Sequence, residues 1–577
     1  MKKWLSRREG LAYHAGEPPR RDAVGGMDMG KASRRAGCAA SAPLNTAGTG
    51  TTLCKTVFLS TAAFSFAAHG FLFANELFSH DSVSFYAYSQ WGIPFYTERG
   101  RFLIPLYEAC KGGTAAPWLI GILFTLWAAL ASFAVIRLLD LRDRTGQVLT
   151  CGLLCTNRAL TLTGASYVYC MDEYALALLL AAVSACLFQW SGRRRVRRRP
   201  ASRRAYLRKW VETEAVRVGG AAAGLAALAA SLALYQPYFT VAASLCLLAV
   251  IRQAARGERP RAVVFSGIRH LLLLASGFVL YYGLWTILCA LTGVEKQRVD
   301  SAALPRSGAG EGTGLWTLAR SANLGYLAGV FQGKGVLGAL LAVVHVLLLA
   351  LLLWRLARLL GDRRLSAGNR LLLVLLSLLL PTAFCSVSVL IPGDDHALTA
   401  FAGELFYLLA VVSMETRLRG RFGPLVRGIL AALLCLALWQ HVVFANQAYM
   451  KKDLEKNATI ALASQIIGRI EAVEGYVPGE TPVAFAGRLD TNPYLDRGRA
   501  AFAPLDGQVG LWHNFSATYN LGRYLTDYLN YPLLWDQTTR YAELDEVKAM
   551  PLYPAEGSVG MVRGTVVVKL SGPRNEG

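Results

Sequence analysis

No cysteine follows Cys435 in this 577-residue chain, so the C-terminal region cannot be stapled by disulfides. The 11 cysteines show no metal-ligand spacing, and most lie in apolar runs, where a thiol packs as a small hydrophobe. Residues 1 to about 50 contain no apolar run, which argues against a cleavable signal peptide there. Their Gly, Ala, Ser and Arg content instead suits a disordered basic tail, assigned to 1–54. Internal repeats are absent. Acid is scarce, with 38 Asp and Glu against 60 Lys and Arg and a formal net charge of +22. In a soluble protein that excess would suggest nucleic acid. The chain is 54% hydrophobic with a mean hydropathy of +0.35, which excludes an ordinary soluble protein.

Apolar runs near the roughly 20 residues that span a bilayer recur at about 56–74, 115–137, 147–166, 174–190, 218–234, 236–251, 270–291, 335–355, 370–390, 397–413 and 427–445. They predict an α-helical polytopic membrane protein with about 11 transmembrane helices over 55–446. Five connectors are rich in Arg, among them 137–144, 192–210 and 416–421. Three others, 167–174, 235–238 and 391–396, carry no Lys or Arg. This alternation places the N-terminus in the cytoplasm and the far end outside. The segment 292–334 fits the pattern least well, and Leu315–Phe331 within it suits an interfacial helix. The basic run at 193–199 reads as a topology signal at lipid headgroups, not as a nucleic-acid site. Beyond 446 the apolar residues Ile460, Ala463, Ile466, Ile467 and Ile470 fall at helical spacing. TPVAFAG and GMVRGTVVVKL then read as strands, so 447–577 is expected to form a small extracytoplasmic α/β domain.

The connector from Asn75 to Cys110 is long, aromatic and charged. It carries His80, Asp81, Trp91, Arg99 and Arg101, and Lys111 follows it directly. Two further non-basic connectors hold Asp172-Glu173 and Asp394-Asp395. A sugar hydroxyl is a poor nucleophile, and a nearby carboxylate can take its proton during attack. Outside the cytoplasm the donor would be lipid-linked, and Arg is suited to gripping its phosphate. Each group also has a plainer use. Asp81 suits a helix N-cap, Asp172 and Glu173 suit a solvated loop, Asp394-Asp395 suits a turn, and Arg101 can snorkel to headgroups. His80 suits a structural hydrogen bond. Tyr235 and Gln236 either close a helical hairpin or bind sugar. Phe85, Tyr86, Tyr88 and Trp91 suit sugar stacking or an interfacial belt.

His80-Asp81-Ser82, Gly100-Arg101-Phe102-Leu103-Ile104-Pro105, Asp172-Glu173-Tyr174, Tyr235-Gln236 and Ala445-Asn446-Gln447 with Tyr449 occur in this order. Together they resemble the membrane glucosyltransferases of the O-antigen glucosylation type, within the GT-C superfamily, over roughly 55–470. The resemblance implies a GT-C fold and a polyprenyl-phosphate-sugar donor, commonly the glucose form. It implies inverting transfer of one sugar to a cell-surface glycan at the outer face of the cell membrane. It makes Asp81 the base, Asp172 a second site acid, and Arg101 a contact to the donor phosphate, with Arg99 and Lys111 as further candidates. His80, Glu173, Tyr235, Gln236 and Trp91 are the candidate substrate contacts. Where some relatives have two adjacent acids, this chain has a single Asp81 after His80, which weakens the case for a bound metal. No cofactor is expected. A flippase of lipid-linked sugars and a glycan polymerase are the competing readings. The absence of repeats and the placement of acids in connectors favour an enzyme.

Overall fold

The computed structural model of the chain describes residues 46–77, 92–193, 203–297, 315–331, 335–390, 397–416, 422–489, 492 and 518–572. His80, Asp81, Phe85, Tyr86, Tyr88, Trp91, Asp394, Asp395 and most of the basic run at 193–199 lie outside those residues.

Helix α1 (Thr46–Ala74) leads into the first connector, which contains two short helices, α2 (Ile93–Glu98) and α3 (Ile104–Cys110). Then come α4 (Pro117–Leu138), α5 (Arg144–Thr156), α6 (Arg158–Ser166), α7 (Met171–Arg193), α8 (Arg203–Leu234), α9 (Tyr238–Ala255) and α10 (Pro260–Thr292). The remaining membrane-domain helices are α11 (Leu315–Phe331), α12 (Gly335–Leu360), α13 (Ala367–Phe384), α14 (Ser386–Leu390), α15 (Phe406–Glu415) and α16 (Gly423–Glu471). Local chemistry sets many of the ends. Proline occupies the first turn of α2, α3, α4, α10 and α16, where its missing N–H costs nothing. Asp143, Asn157 and Ser366 cap α5, α6 and α13 through their side chains. Gly293, at φ +67°, ends α10 in the left-handed conformation.

Among the described residues, nine helices are long and apolar enough to cross a membrane. The difference from eleven falls on two segments. The run at 147–166 is broken at Asn157 into α5 and α6, because Asn157 is extended (φ −61°, ψ 160°) and its Oδ1 accepts from Leu160 N at 3.0 Å. The run at 397–413 is a 3-10 segment (Ala397–Leu405) followed by the short α15. These two interrupted segments pack against each other, α6 on the 3-10 segment. The hairpin expected around Tyr235–Tyr238 is present, between α8 and α9.

One end of the bundle is tied by Arg and acid side chains. Glu415 accepts from the backbone N–H groups of Arg142 (2.8 Å) and Asp143 (3.0 Å) and pairs with Arg252 at 2.9 Å. Arg256 pairs with Asp140 at 2.7 Å. These contacts lock the α4–α5 turn onto the ends of α9 and α15.

Helix α16 does not stop at residue 446. It runs without interruption to Glu471, and its last turns carry Ala463, Ile466 and Ile470 into the core of the C-terminal region. That core also holds Val483, Phe485, Tyr524, Val566 and Val568. Strands β1 (Pro482–Ala486), β2 (Leu534–Asp536), β3 (Val559–Val562) and β4 (Thr565–Lys569) form one sheet in the order β2-β1-β4-β3. Strand β1 is parallel to β2 and β4, whereas β3 and β4 are antiparallel. Arg563 and Gly564 both take positive φ (51° and 79°), which is the turn a two-residue hairpin requires.

Candidate active site

The described part of the first connector folds over the ends of α7, α8, α9 and α10. Trp285 Nε1 donates to Thr97 O at 2.7 Å. Gln236 Nε2 donates to Arg99 O at 2.6 Å and to Tyr281 Oη at 3.0 Å, and Tyr281 in turn donates to Gly100 O at 3.1 Å. The backbone of Gly100 passes so close to Tyr281 and Gln236 that a Cβ would strike both, and its φ is +72°. A Gly100→Ala variant should therefore lower stability by roughly 2 kcal/mol or more, from backbone strain plus the displaced side chains. Thermal unfolding in detergent checks this. An unchanged midpoint would show that the strap is not held as described.

The strap delivers α3 to the first turn of α7. Asp172 and Glu173 are fully buried there, 0% and 1% exposed, which the solvated-loop reading did not anticipate. Tyr107 Oη accepts from Trp127 Nε1 and donates to Asp172 Oδ2, both at 2.9 Å. Lys111 Nζ lies 3.2 Å from Asp172 and 3.5 Å from Glu173. Burial works to lower the Lys111 pKa, but Glu173 and then Asp172 outweigh it and hold the ammonium above its usual range. Glu108, beside Tyr107 on α3, is also buried and accepts from Tyr96 Oη at 3.2 Å. Asp172 and Glu173 thus share one lysine.

Arg101 differs from its two basic neighbours. Arg99 pairs with Glu98, donates to Phe95 O at 3.1 Å and lies over the Phe95 ring at 3.6 Å. Lys111 is engaged with both acids. Arg101 sits 4.8 Å over the Tyr235 ring, and its buried Nε has no partner among the described residues. Tyr235 stacks on Tyr174, the residue after Glu173, with ring centroids 4.3 Å apart. The site therefore presents a guanidinium edge on an aromatic shelf next to a buried acid pair. Such an arrangement can hold an anion and supply a carboxylate near it.

Of the sequence candidates, Arg101, Lys111, Asp172, Glu173 and Tyr235 come together, and Gln236 braces the strap. Tyr449 lies elsewhere, with its Oη 2.7 Å from His69 Nδ1 in the core. Reading by sequence passed over Tyr96, Tyr107, Glu108, Trp127, Tyr281 and Trp285. The one available signal was Tyr107 and Lys111 at i and i+4, one face of a helix opened by a proline. Among the described residues no group of three or more His, Cys, Asp or Glu is placed to hold a metal ion.

The sequence pattern of the glucosyl transferase GtrII family matches residues 70–416, more than half of the chain. No curated protein and no solved structure matches it.

Proposed function

The chain belongs to the glucosyl transferase GtrII family, and from that premise we propose that it moves glucose from a polyprenyl-phosphate donor to a cell-surface glycan at the outer membrane face, with inversion. The observation that carries this reading is Arg101, with its unpartnered Nε, beside the buried Asp172–Glu173 pair. Arg101 grips the donor phosphate and stabilises it as it leaves. Arg99 and Lys111 are already paired, so their part is to hold the strap and the acids. Asp81, in the same connector, takes the proton from the acceptor hydroxyl as that oxygen attacks the anomeric carbon opposite the phosphate. Asp172 is the second acid of the site, fixed in orientation by Tyr107 and Lys111. His80, Trp91, Glu173, Tyr235 and Gln236 contact or shape the sugar site. The Asp172 end of the bundle is the outer one on this reading, since the Arg-rich connectors lie at the other end. Purified protein incubated with polyprenyl-phosphate-glucose and an acceptor glycan is expected to release polyprenyl phosphate only when the acceptor is present. Movement of intact lipid-linked sugar without cleavage would instead identify a flippase.

A further inference from the structure

The Arg-rich end of the bundle holds an open cavity of about 860 Å³ among the ends of α4, α9, α12, α15 and α16. Its charged lining is five arginines (Arg142, Arg252, Arg256, Arg364 and Arg427) and four acids (Asp140, Asp143, Asp362 and Glu415). The acids do not use up the arginines. Asp140 takes both Arg142 at 3.2 Å and Arg256 at 2.7 Å, Asp143 takes Arg427 at 2.6 Å, and Glu415 takes Arg252 at 2.9 Å. The Asp362 carboxylate accepts the backbone N–H of Arg364 at 3.0 Å. The exposed guanidinium of Arg364 makes no ion pair among the described residues. Behind the wall stands Arg355 of α12, which is 3% exposed. It donates to Ser413 O and, at 2.7 Å, to the O of the cavity residue Thr416, but meets no carboxylate among the described residues. Nε of Arg355 and Nε of Arg252 are buried with no partner among the described residues.

A buried arginine without a matching carboxylate keeps its desolvation penalty, and a fixed anion offsets it. Each guanidinium also carries five donors, more than these pairs occupy. The cavity lies where spans end. Ala255 and Leu359 stand at the close of theirs, and Arg427 stands just inside the start of another. That is headgroup depth, where basic pockets between spans take anionic lipid headgroups. Ala255, Leu359, Leu365 and Met414 line it beside the charges, which suits the glycerol and upper chains of an amphiphile over a soluble ion. Its volume falls in the ~300–1,000 Å³ range of small-ligand sites.

We propose that this cavity binds the headgroup of an anionic phospholipid, with the phosphodiester held by Arg142, Arg256 and Arg364, and that the bound lipid clamps the α4–α5 turn to the ends of α9 and α12. The site lies at the opposite end of the bundle from Asp172 and is independent of the donor proposed above. Purified wild type in neutral detergent is titrated with phosphatidylglycerol. Phosphatidylcholine of the same acyl chains, glycerophosphate and inorganic phosphate are the controls. Saturable binding of phosphatidylglycerol alone, with a rise in the unfolding midpoint, is expected. Arg142→Gln combined with Arg364→Gln should weaken that binding at least about 10-fold, as for loss of charge-assisted contacts. Both side chains are exposed, so the midpoint without lipid should not move. Arg261→Gln removes an exposed charge at the same end but outside the cavity, and should leave binding unchanged. Asp362→Asn removes a lining acid and should bind at least as tightly as wild type. Equal binding of phosphatidylcholine, or full binding by the double variant, overturns the site. An equal loss in Arg261→Gln would reduce it to diffuse attraction, and an equal loss in Asp362→Asn to damage of the cavity, and either overturns it. Equal binding of a soluble phosphate would make the ligand a soluble anion and the lipid wrong.

Discussion

Asp81→Asn is expected to yield protein that folds, inserts and still binds the lipid-linked donor, while turnover falls at least about 10²-fold. The amide keeps the shape and part of the hydrogen bonding of the carboxylate but cannot accept the acceptor's proton. A general base typically contributes ~10²–10⁴-fold, or about 3–5 kcal/mol of barrier. Arg101→Ala provides the contrast. It removes a charge-assisted contact worth roughly 1.5–3 kcal/mol, present in the bound donor as well as in the transition state. Donor binding should therefore weaken along with the rate. Steady-state kinetics with donor and acceptor varied separately reads both effects. Near-normal turnover in well-folded Asp81→Asn would reduce Asp81 to a helix cap. Asp172, buried and oriented by Tyr107 and Lys111, would then be the preferred base.

Lys111→Met is expected to have the largest effect on stability. Lys111 is 5% exposed and is the only cation paired with Asp172 and Glu173 among the described residues. Removing one member of a buried ion pair typically costs ~3–5 kcal/mol, because the remaining charge keeps its desolvation penalty without its partner. Here two carboxylates would be left, so the α3–α7 contact should loosen and the strap over it with it. Lys111→Met combined with Asp172→Asn and Glu173→Gln should recover most of the stability but not activity. Unfolding in detergent measures the first effect and turnover the second. The pH dependence has a definite sign. The folded-state pKa of Lys111 is raised, so its contribution is complete below the unfolded lysine value of about 10.4 and is lost only as pH rises through the higher folded one. A variant as stable as wild type would show that the acids are neutral or otherwise compensated.

Transfer of a segment into lipid depends on local hydropathy, so nine of the spans, the alternation of basic and non-basic connectors, and the α8–α9 hairpin could all be read along the chain. The C-terminal strands and the amphipathic end of α16 were legible for the same reason, since period and turn residues are local properties. Hydropathy does not register a break in a span, because an apolar run has the same composition whether its helix is continuous or divided. The tertiary structure shows both 147–166 and 397–413 interrupted, with α6 packed against the 3-10 segment. Asn157, a strong N-cap inside an apolar run, was the one local sign of it. The acid pair was visible in the sequence as Asp172-Glu173, but its burial was not. That depends on Tyr107 and Lys111, more than sixty residues earlier, arriving on a short helix pinned by Gln236, Tyr281 and Trp285. Pairing, and with it which of three basic residues keeps a free N–H for substrate, is a property of neighbours in space. The fold alone assigned Arg99 and Lys111 to acids and left Arg101 open.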